Sequence, residues 1–210
     1  MRLRITFAKT EAMRYTGHLD LHRTWERTLR RAGLPLAYSQ GFKPHPHIVL
    51  ASALPLGCTS QCEIVDVWLE EPLPLEQIND ALQGAMPPGL QVLEITEVDP
   101  VLPALPTQLA ASEFRITFHS PVPDLDLHLE QLLHASELPR VWREKAYDLR
   151  PLIHELWRLP DNEQGCQQIA VRLAAREGYT GRPEEVVLAL SGEPGKSLIH
   201  RTRLIFQSDE

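Results

Sequence analysis

The chain has 210 residues, of which 43% are hydrophobic, and a formal net charge of −7. Its length is typical of one domain or of two halves of about 100 residues each. The sequence contains no run of about 18 apolar residues, the length that a membrane-spanning helix needs. The N-terminus lacks the apolar core of a signal peptide, and the three cysteines do not have the spacing of a small secreted domain. We therefore expect a cytoplasmic protein with reduced thiols.

The charge is unevenly distributed along the chain. Residues 1–62 contain nine Lys and Arg against three Asp and Glu, whereas the remaining residues contain 12 bases and 25 acids. The first segment therefore carries +6 and the rest −13. This polarity predicts a positive patch on an acidic body, which would attract an anionic partner and resist indiscriminate binding.

The first half of the chain alternates between strand and helix patterns. Period-two alternation predicts strands at residues 2–8, 47–53, 62–69 and Leu90–Val98. A helix is predicted at residues 17–32, with Thr16 as its N-cap and Gly33 and Pro35 after its end, and a second helix at Leu75–Ala85. The order βαββαβ is that of the ferredoxin-like split unit.

The second half repeats this order after a segment rich in proline. Residues 99–111 contain three prolines and no charge after Asp99, which is typical of a linker. The pattern then predicts strands at 113–119, within 147–157, at 167–175 and at Ser197–Phe206, with helices at 125–135 and 183–190. We therefore predict an α+β protein with two ferredoxin-like halves, residues 1–98 and 112–210, joined by the linker 99–111.

The run GHLDLHRTWERTLRRAGLPLAYSQGFKPHPHIVLASALPLG, residues 17–57, resembles the signature of a bacterial protein family. These are the radical-SAM-linked or radical-SAM-associated proteins, which carry a domain of unknown function numbered 2344. The signature consists of HLD, an Arg-rich helix ending in RRAGLP, YSQGF-x-PHP, LPLG, and then an acidic residue and Asp in the next strand, here Glu63 and Asp66. The segments at 148–153, 182–185 and 200–201 are also similar, so the resemblance covers nearly the whole chain.

The resemblance implies a radical-SAM-type partner enzyme, because family members are similar to proteins found beside or fused to such enzymes. The cluster of a radical-SAM enzyme needs three thiolates in a C-x3-C-x2-C spacing with one open iron. Cys58 and Cys62 supply C-x3-C, but position 65 is Val65 and no third thiolate is nearby. We therefore expect no cofactor in this chain, and an iron–sulfur cluster and S-adenosylmethionine only in the partner.

Four histidines lie close together in sequence. His18 and His22 are four residues apart on the predicted helix, and His45 and His47 follow in and after the next loop. A metal site is one interpretation, but no carboxylate or thiolate stands at a known ligand spacing, so we predict none. His18 and His45 suit donation to an anion or orientation of a neighbour such as Asp20.

The arginines of the predicted helix form a stripe. Arg23, Arg27 and Arg30 follow a spacing that places them on one face, Arg31 lies at its edge, and Glu26 is the acid expected to pair with them. An ordinary solvated face and an anion-binding face are both open, since guanidinium groups match phosphate and carboxylate oxygens. Asp66, between apolar neighbours in a predicted strand, is expected to point at this helix and pair with one of its arginines.

The loop 38–46 combines groups that suit ligand binding. Pro44 and Pro46 stiffen it and Gly41 permits unusual backbone angles, while Tyr38 and Phe42 offer flat faces for stacking. Polar contacts would come from Ser39, Gln40, Lys43 and His45. The alternative is an ordinary connecting loop with Phe42 packed inward, but we favour the rim of a binding site.

The sequence contains no P-loop, no G-x-G-x-x-G and no nucleophile elbow. We therefore predict a non-catalytic or accessory module that binds an anionic substrate, RNA in the first place. The predicted substrate-binding residues are Arg23, Arg27, Arg30, Arg31, Tyr38, Ser39, Gln40, Gly41, Phe42, Lys43 and His45. One alternative is an RNA-modifying or RNA-cleaving enzyme with His18, Asp20 and His45 as acid–base groups, and another is a protein–protein adaptor.

Overall fold

The computed structural model describes residues 1–142, 144–192 and 196–207. The chain divides into two compact units, Met1–Leu109 and Ala110–Glu210. Each unit contains helices and a mainly antiparallel sheet, so the predicted α+β class is confirmed. In the described part of the chain, no helix combines the length and apolar character needed to span a bilayer.

The first unit has six main elements. They are β1 (Arg2–Lys9), α1 (His18–Arg31), β2 (Ile48–Leu50), β3 (Cys58–Trp68), α2 (Leu75–Ala85) and β4 (Leu90–Val98). The strands pair in the order β4-β1-β3-β2, and all three pairings are antiparallel. This is the strand order of the ferredoxin-like split unit.

The two helices cover one face of this sheet. The core contains the apolar side chains of β1 and β3 together with those of α1 and α2: Leu3, Ile5, Phe7, Leu21, Trp25, Leu29, Val65, Val67, Ile78 and Leu82. Trp25 meets Phe7 edge-on, with ring centroids 4.8 Å apart. Because one stripe of α1 is buried here, its remaining side chains are left to solvent.

The opposite face of the sheet carries a buried ion-pair cluster. The Asp66 carboxylate accepts hydrogen bonds from Arg2 Nη2 at 2.6 Å and from Arg4 Nε at 2.9 Å. Arg4 pairs directly opposite Asp66 in the β1–β3 register, and Arg2 lies two residues along on the same face. The expectation that Asp66 points at the arginines of α1 is therefore wrong, because strand alternation turns its side chain away from the helices.

Arg2 also fastens the segment that was predicted as a linker. Its guanidinium donates to the carbonyl oxygens of Leu102 at 2.7 Å and Pro103 at 3.1 Å. The segment continues into the short helix α3 (Leu105–Gln108), and the Leu105 side chain is fully buried. The Arg2 contacts and the buried Leu105 thus attach this segment to the first unit, although Val101 and Leu102 are exposed. The boundary between the two units falls after Leu109.

The first strand of the second unit is β5 (Leu109–Phe118), whose first residue is the last residue of the first unit. The second unit continues with α4 (Leu125–His134), β6 (Pro139–Trp142), β7 (Lys145–Asp148), β8 (Ile153–Leu159), β9 (Gln168–Arg176), β10 (Tyr179–Thr180), α5 (Pro183–Ser191) and β11 (Ser197–Phe206). Strand β5 lies between β11 and β9, and both β8 and β10 pair with β9. Strands β6 and β7 form a separate two-stranded hairpin, which the sequence pattern did not predict.

Several element boundaries differ from the predictions. Helix α1 is capped by Gly17 rather than Thr16, without a side-chain cap bond. Strand β2 keeps only three of the seven residues predicted at 47–53, and β3 begins at Cys58 rather than at residue 62 because Ser60 pairs with Lys9 across an irregularity in the register. Strand β5 begins at Leu109 rather than at residue 113.

Candidate functional site

The solvent-facing side of helix α1 carries its arginines. Leu21, Trp25 and Leu29 are buried against the sheet, so Arg23, Arg27 and Arg30 are exposed on the other side. The helix contains four arginines against two acids, which gives it a net charge of +2. The predicted stripe is therefore an exposed cationic face on a chain whose overall charge is negative.

Two of these arginines are paired within the helix. Arg23 Nη1 lies 3.3 Å from Asp20 Oδ1, and Arg30 Nη2 lies 2.9 Å from Glu26 Oε1. Glu26 is the acid that the sequence predicts as a partner for these arginines, whereas the pair between Arg23 and Asp20 is not among the predictions. Such exposed pairs contribute at most about 1 kcal/mol, so an anionic ligand can compete for both arginines. Arg27 makes no ion pair with any residue in the part of the chain that the structure describes.

Arg31 faces a different neighbour. Its guanidinium donates to the carbonyl oxygen of Ala85, the last residue of α2. Carbonyl groups in the last turn of a helix lack an intrahelical donor, and a cation there is favourable. The structure thus places Arg31, which is also exposed, at the junction of α1 and α2 rather than on the row formed by the other three arginines.

Residues 38–46 form a closed hairpin, referred to below as the hairpin. Tyr38 and Pro46 are bridged as antiparallel partners. The Ser39 amide donates to the His45 carbonyl at 2.8 Å, and the His45 amide donates back to Ser39 Oγ at 3.1 Å. These bonds hold the base of the hairpin, so the residues between them project into solvent.

One of the projecting residues, Phe42, has a fully solvent-exposed aromatic ring. Phe42 has a relative exposure of 108%, and the neighbouring Gln40, Gly41 and Lys43 are also exposed. The alternative that Phe42 packs inward is therefore wrong, because the base of the hairpin closes before the chain could return to the core.

Arg30 joins the helix face to the hairpin. Its guanidinium carbon lies 5.7 Å from the centroid of the Tyr38 ring, which is within cation–π range. Arg30 therefore links the exposed arginine face of α1 to the hairpin. We call the set consisting of Arg23, Arg27, Arg30 and residues 38–46 the basic surface.

The four histidines do not come together as a metal site. His22 Nε2 lies 3.2 Å from the carbonyl oxygen of Ile48, and the His47 ring stacks on Trp68. His18 begins α1 and His45 lies at the base of the hairpin, both exposed. Among the described residues, no group of three or more His, Cys, Asp and Glu could hold a metal ion.

The His47 imidazole has a lowered pKa. Partial desolvation lowers this pKa, and the positive charge of Arg2 lowers it further, although His47 keeps an exposed edge. Both effects favour the neutral imidazole, which suits a ring packed face to face on an indole.

The cysteines do not fit an iron–sulfur cluster. Cys58 is buried and lies on the same strand, β3, as Cys62. Four residues of extended strand separate their α-carbons by about 13 Å, too far for two ligands of one cluster. Cys166 belongs to the second unit. The spacing of Cys58 and Cys62 therefore does not suit two ligands of one cluster.

Exposed apolar side chains near the start of α1 were missed by the sequence reasoning. Tyr15, Leu19 and Leu56 are each about two-thirds exposed or more. Arg14 Nε donates to the Gly57 carbonyl at 2.8 Å and the Gly57 amide donates to the Arg14 carbonyl at 3.1 Å. The signal was present in the sequence, because Leu19 of the HLD motif lies off the predicted buried stripe of α1 and Leu56 of the LPLG motif lies outside the predicted helices and strands.

Comparisons with known proteins identify a family without a described function. A family model described as "Uncharacterized protein conserved in bacteria (DUF2344)" matches residues 2–183, and no curated protein matches the chain. Similar solved structures include the acetolactate synthase small subunit from Thermotoga maritima, 12% identical over 97% of this chain and 94% of that one, with a TM-score of 0.25. A protein assigned as a glycine cleavage system transcriptional repressor is 11% identical over 98% of both chains, with a TM-score of 0.26.

Structural similarity at TM-scores this low supports no conclusion about fold or function. The family match, in contrast, spans well over half of the 210 residues and includes both the helix α1 and the hairpin. The chain therefore belongs to the bacterial family DUF2344.

Proposed function

We propose that this protein binds RNA through the basic surface and acts as an accessory module beside a radical-SAM-type enzyme. The observation that carries the proposal is the contact between Arg30 and Tyr38. It joins a row of exposed guanidinium groups to an exposed hairpin with two aromatic rings. Arginines suit phosphate oxygens, and aromatic rings suit bases, so the two parts match the two chemical components of a nucleotide.

The charge distribution supports an anionic ligand at this surface. Residues 1–62 carry +6 and the remainder carries −13. A polyanion is therefore attracted to the exposed arginines within residues 1–62 and repelled by the acidic remainder, which includes residues 63–109 of the first unit. Arg23 and Arg30 are paired with Asp20 and Glu26 in solvent-accessible ion pairs, which a phosphate can replace at little cost.

The proposed partner follows from the family resemblance. Radical-SAM chemistry needs a cluster with three thiolates, and the spacing of Cys58 and Cys62 along β3 argues against such a cluster here. The iron–sulfur cluster and S-adenosylmethionine would therefore belong to the partner enzyme. In this proposal, the DUF2344 chain binds the RNA and the partner enzyme catalyses the reaction.

We further propose that the two units are two ferredoxin-like halves. The first unit has the strand order β4-β1-β3-β2, and the second has the corresponding order β11-β5-β9-β8. The β6–β7 hairpin and the short β10 are additions to the second half. Because the basic surface lies in the first half only, we assign RNA binding to residues 1–98.

The proposal is tested by reversing charge on the basic surface. The double variant Arg27→Glu with Arg30→Glu should lose retention on RNA in a filter-binding assay, because two phosphate contacts become repulsions. The matched control is Arg115→Glu with Arg203→Glu, which makes the same change of charge at two exposed arginines of the second unit and should still bind. Undiminished binding by the first variant would contradict the proposal.

A further inference from the structure

The most unusual side chain on the basic surface is Phe42. Its ring is completely exposed at the tip of the hairpin. Burial of a Phe side chain normally contributes about 1.5–3 kcal/mol to stability, and this chain forgoes that contribution. A polar residue at position 42 would avoid exposing an apolar ring to water. Folding stability therefore does not explain why a Phe stands at this position.

The hairpin holds the ring on a stiff mount. The reciprocal bonds between Ser39 and His45 close its base, and the flanking prolines Pro44 and Pro46 restrict the backbone. Pro46 is itself buried. A ring presented in this way loses little conformational freedom when it binds, which favours stacking against a flat partner.

The surroundings of the ring are cationic. Lys43 follows it directly and is exposed, and Arg30 lies against Tyr38 at the foot of the same hairpin. An exposed aromatic ring beside positive charge suits a ligand that is flat and anionic at once. A nucleotide base with its phosphate has this combination, whereas an apolar protein pocket would leave Lys43 without a counter-charge.

The base that stacks on Phe42 must be unpaired. Bases inside an A-form duplex already stack on each other, and the deep groove of that duplex keeps side chains from their edges. Aromatic rings of proteins stack on bases that are splayed out of single strands, loops and bulges. The interior of a duplex would offer the hairpin phosphates, 2′-hydroxyls and base edges, but no free base face for stacking.

We infer that Phe42 stacks on an unpaired base and that the RNA bound by the basic surface is single-stranded at the hairpin. This inference rests on the proposed function, since the arginines of α1 supply the phosphate contacts that bring the strand to the ring. In this arrangement the arginines set affinity for any RNA, and Phe42 sets the preference for unpaired over paired RNA.

The test measures affinity by fluorescence anisotropy on three labelled RNAs of equal length: a single strand, a blunt duplex, and a single strand with abasic sites in place of its central bases. Wild type should prefer the intact single strand. Phe42→Ala should weaken the affinity for the intact single strand by about fivefold to 100-fold, the effect of one lost base–aromatic stack. The affinities of Phe42→Ala for the duplex and for the abasic strand should equal those of the wild type. Phe42→Tyr keeps the ring and should bind as wild type, whereas Phe42→Leu keeps apolar volume without a ring and should bind as Phe42→Ala.

The outcomes separate this inference from the proposed function. Equal binding of single strand and duplex, or unchanged single-strand affinity of Phe42→Ala, overturns the inference, while loss of all RNA binding in the Arg27→Glu, Arg30→Glu variant still supports the basic surface. Undiminished binding by that charge-reversed variant overturns the proposed function itself. Loss of a co-purifying protein in Phe42→Ala, with RNA affinity unchanged, would assign the hairpin to a protein and overturn the stacking inference.

Discussion

The imidazole of His47 lies flat against the indole of Trp68, with ring centroids 3.7 Å apart and ring planes inclined by 10°. The Arg2 guanidinium lies over the same indole, 4.8 Å from its centroid. His47 stands directly after the hairpin, and its amide donates to the carbonyl of Ala37 just before the hairpin. The stack therefore ties the base of the hairpin to strand β3 and to the buried Arg2.

Acid should weaken the fold through His47. The pKa of His47 in the folded state lies below the usual 6.5. At pH values between the two pKa values, the unfolded chain is protonated to a greater extent than the folded chain. The stability therefore falls as the pH falls from 6.5 toward the lowered pKa. Above pH 6.5 the contribution is fully present. Urea unfolding at about pH 7.5 and pH 5 should show a larger loss of stability in wild type than in His47→Phe, which keeps the stack without titrating. Equal losses in the two proteins would contradict this prediction.

Asp66→Asn should be strongly destabilising. The carboxylate is 0% exposed and pairs with Arg2, whose side chain is 1% exposed, so the substitution leaves a buried cation without its counter-charge. Breaking a buried pair in this way costs about 3–5 kcal/mol, measurable by urea denaturation. Glu26→Gln is the control, because its exposed pair with Arg30 should contribute less than about 1 kcal/mol. Similar effects of the two substitutions would show that the cluster is not buried as described.

Two glycines should respond to alanine with opposite signs. Gly89 has a φ of +94°, and an added Cβ would lie 2.7 Å from Met13 Cγ and 2.9 Å from the Met13 amide nitrogen. Gly89→Ala should therefore destabilise the protein by more than about 1 kcal/mol. Gly84 lies in α2 with nothing near the added atom, so Gly84→Ala should stabilise by about 0.5–1 kcal/mol. Thermal unfolding of both variants measures the signs, and a stable Gly89→Ala protein would contradict the described turn.

His45→Ala distinguishes a binding module from an enzyme. The bonds that close the hairpin come from the backbone of His45, so the hairpin should survive the substitution. RNA affinity should fall by no more than about fivefold, the effect of roughly one lost hydrogen bond. If the wild type turned RNA over and His45→Ala abolished that turnover with affinity intact, His45 would be an acid–base group instead.

Local patterns predicted most of the helices and strands. The bounds of α2 and β4 match the structure at both ends, and the buried stripe of α1 is the one that its spacing indicated. These features depend on residues close together in sequence, where periodicity and stop signals act. The position of the cationic face of α1 follows from the position of the buried stripe, because the arginines lie on the side of the helix that is not packed against the sheet.

Contacts between distant residues could not be predicted in the same way. The partner of Asp66 is decided by the register of β1 on β3, and the packing of residues 99–108 depends on carbonyl contacts to Arg2 about 100 residues earlier. The outward position of Phe42 depends on the bonds between Ser39 and His45, which no periodicity encodes. Sequence reasoning therefore named the arginines and the loop as candidates, with Arg31 among them, and the structure supplied the contact between Arg30 and Tyr38.

The most direct test of the central claim is the salt dependence of RNA affinity for wild type and Arg27→Ala. If the basic surface binds the phosphates of a single strand, the logarithm of the binding constant should fall linearly and steeply with the logarithm of salt concentration, and the slope for Arg27→Ala should be shallower by about 0.7, the effect of one lost phosphate contact. An affinity that does not change with salt, or identical slopes for the two proteins, would contradict the claim that these arginines bind RNA.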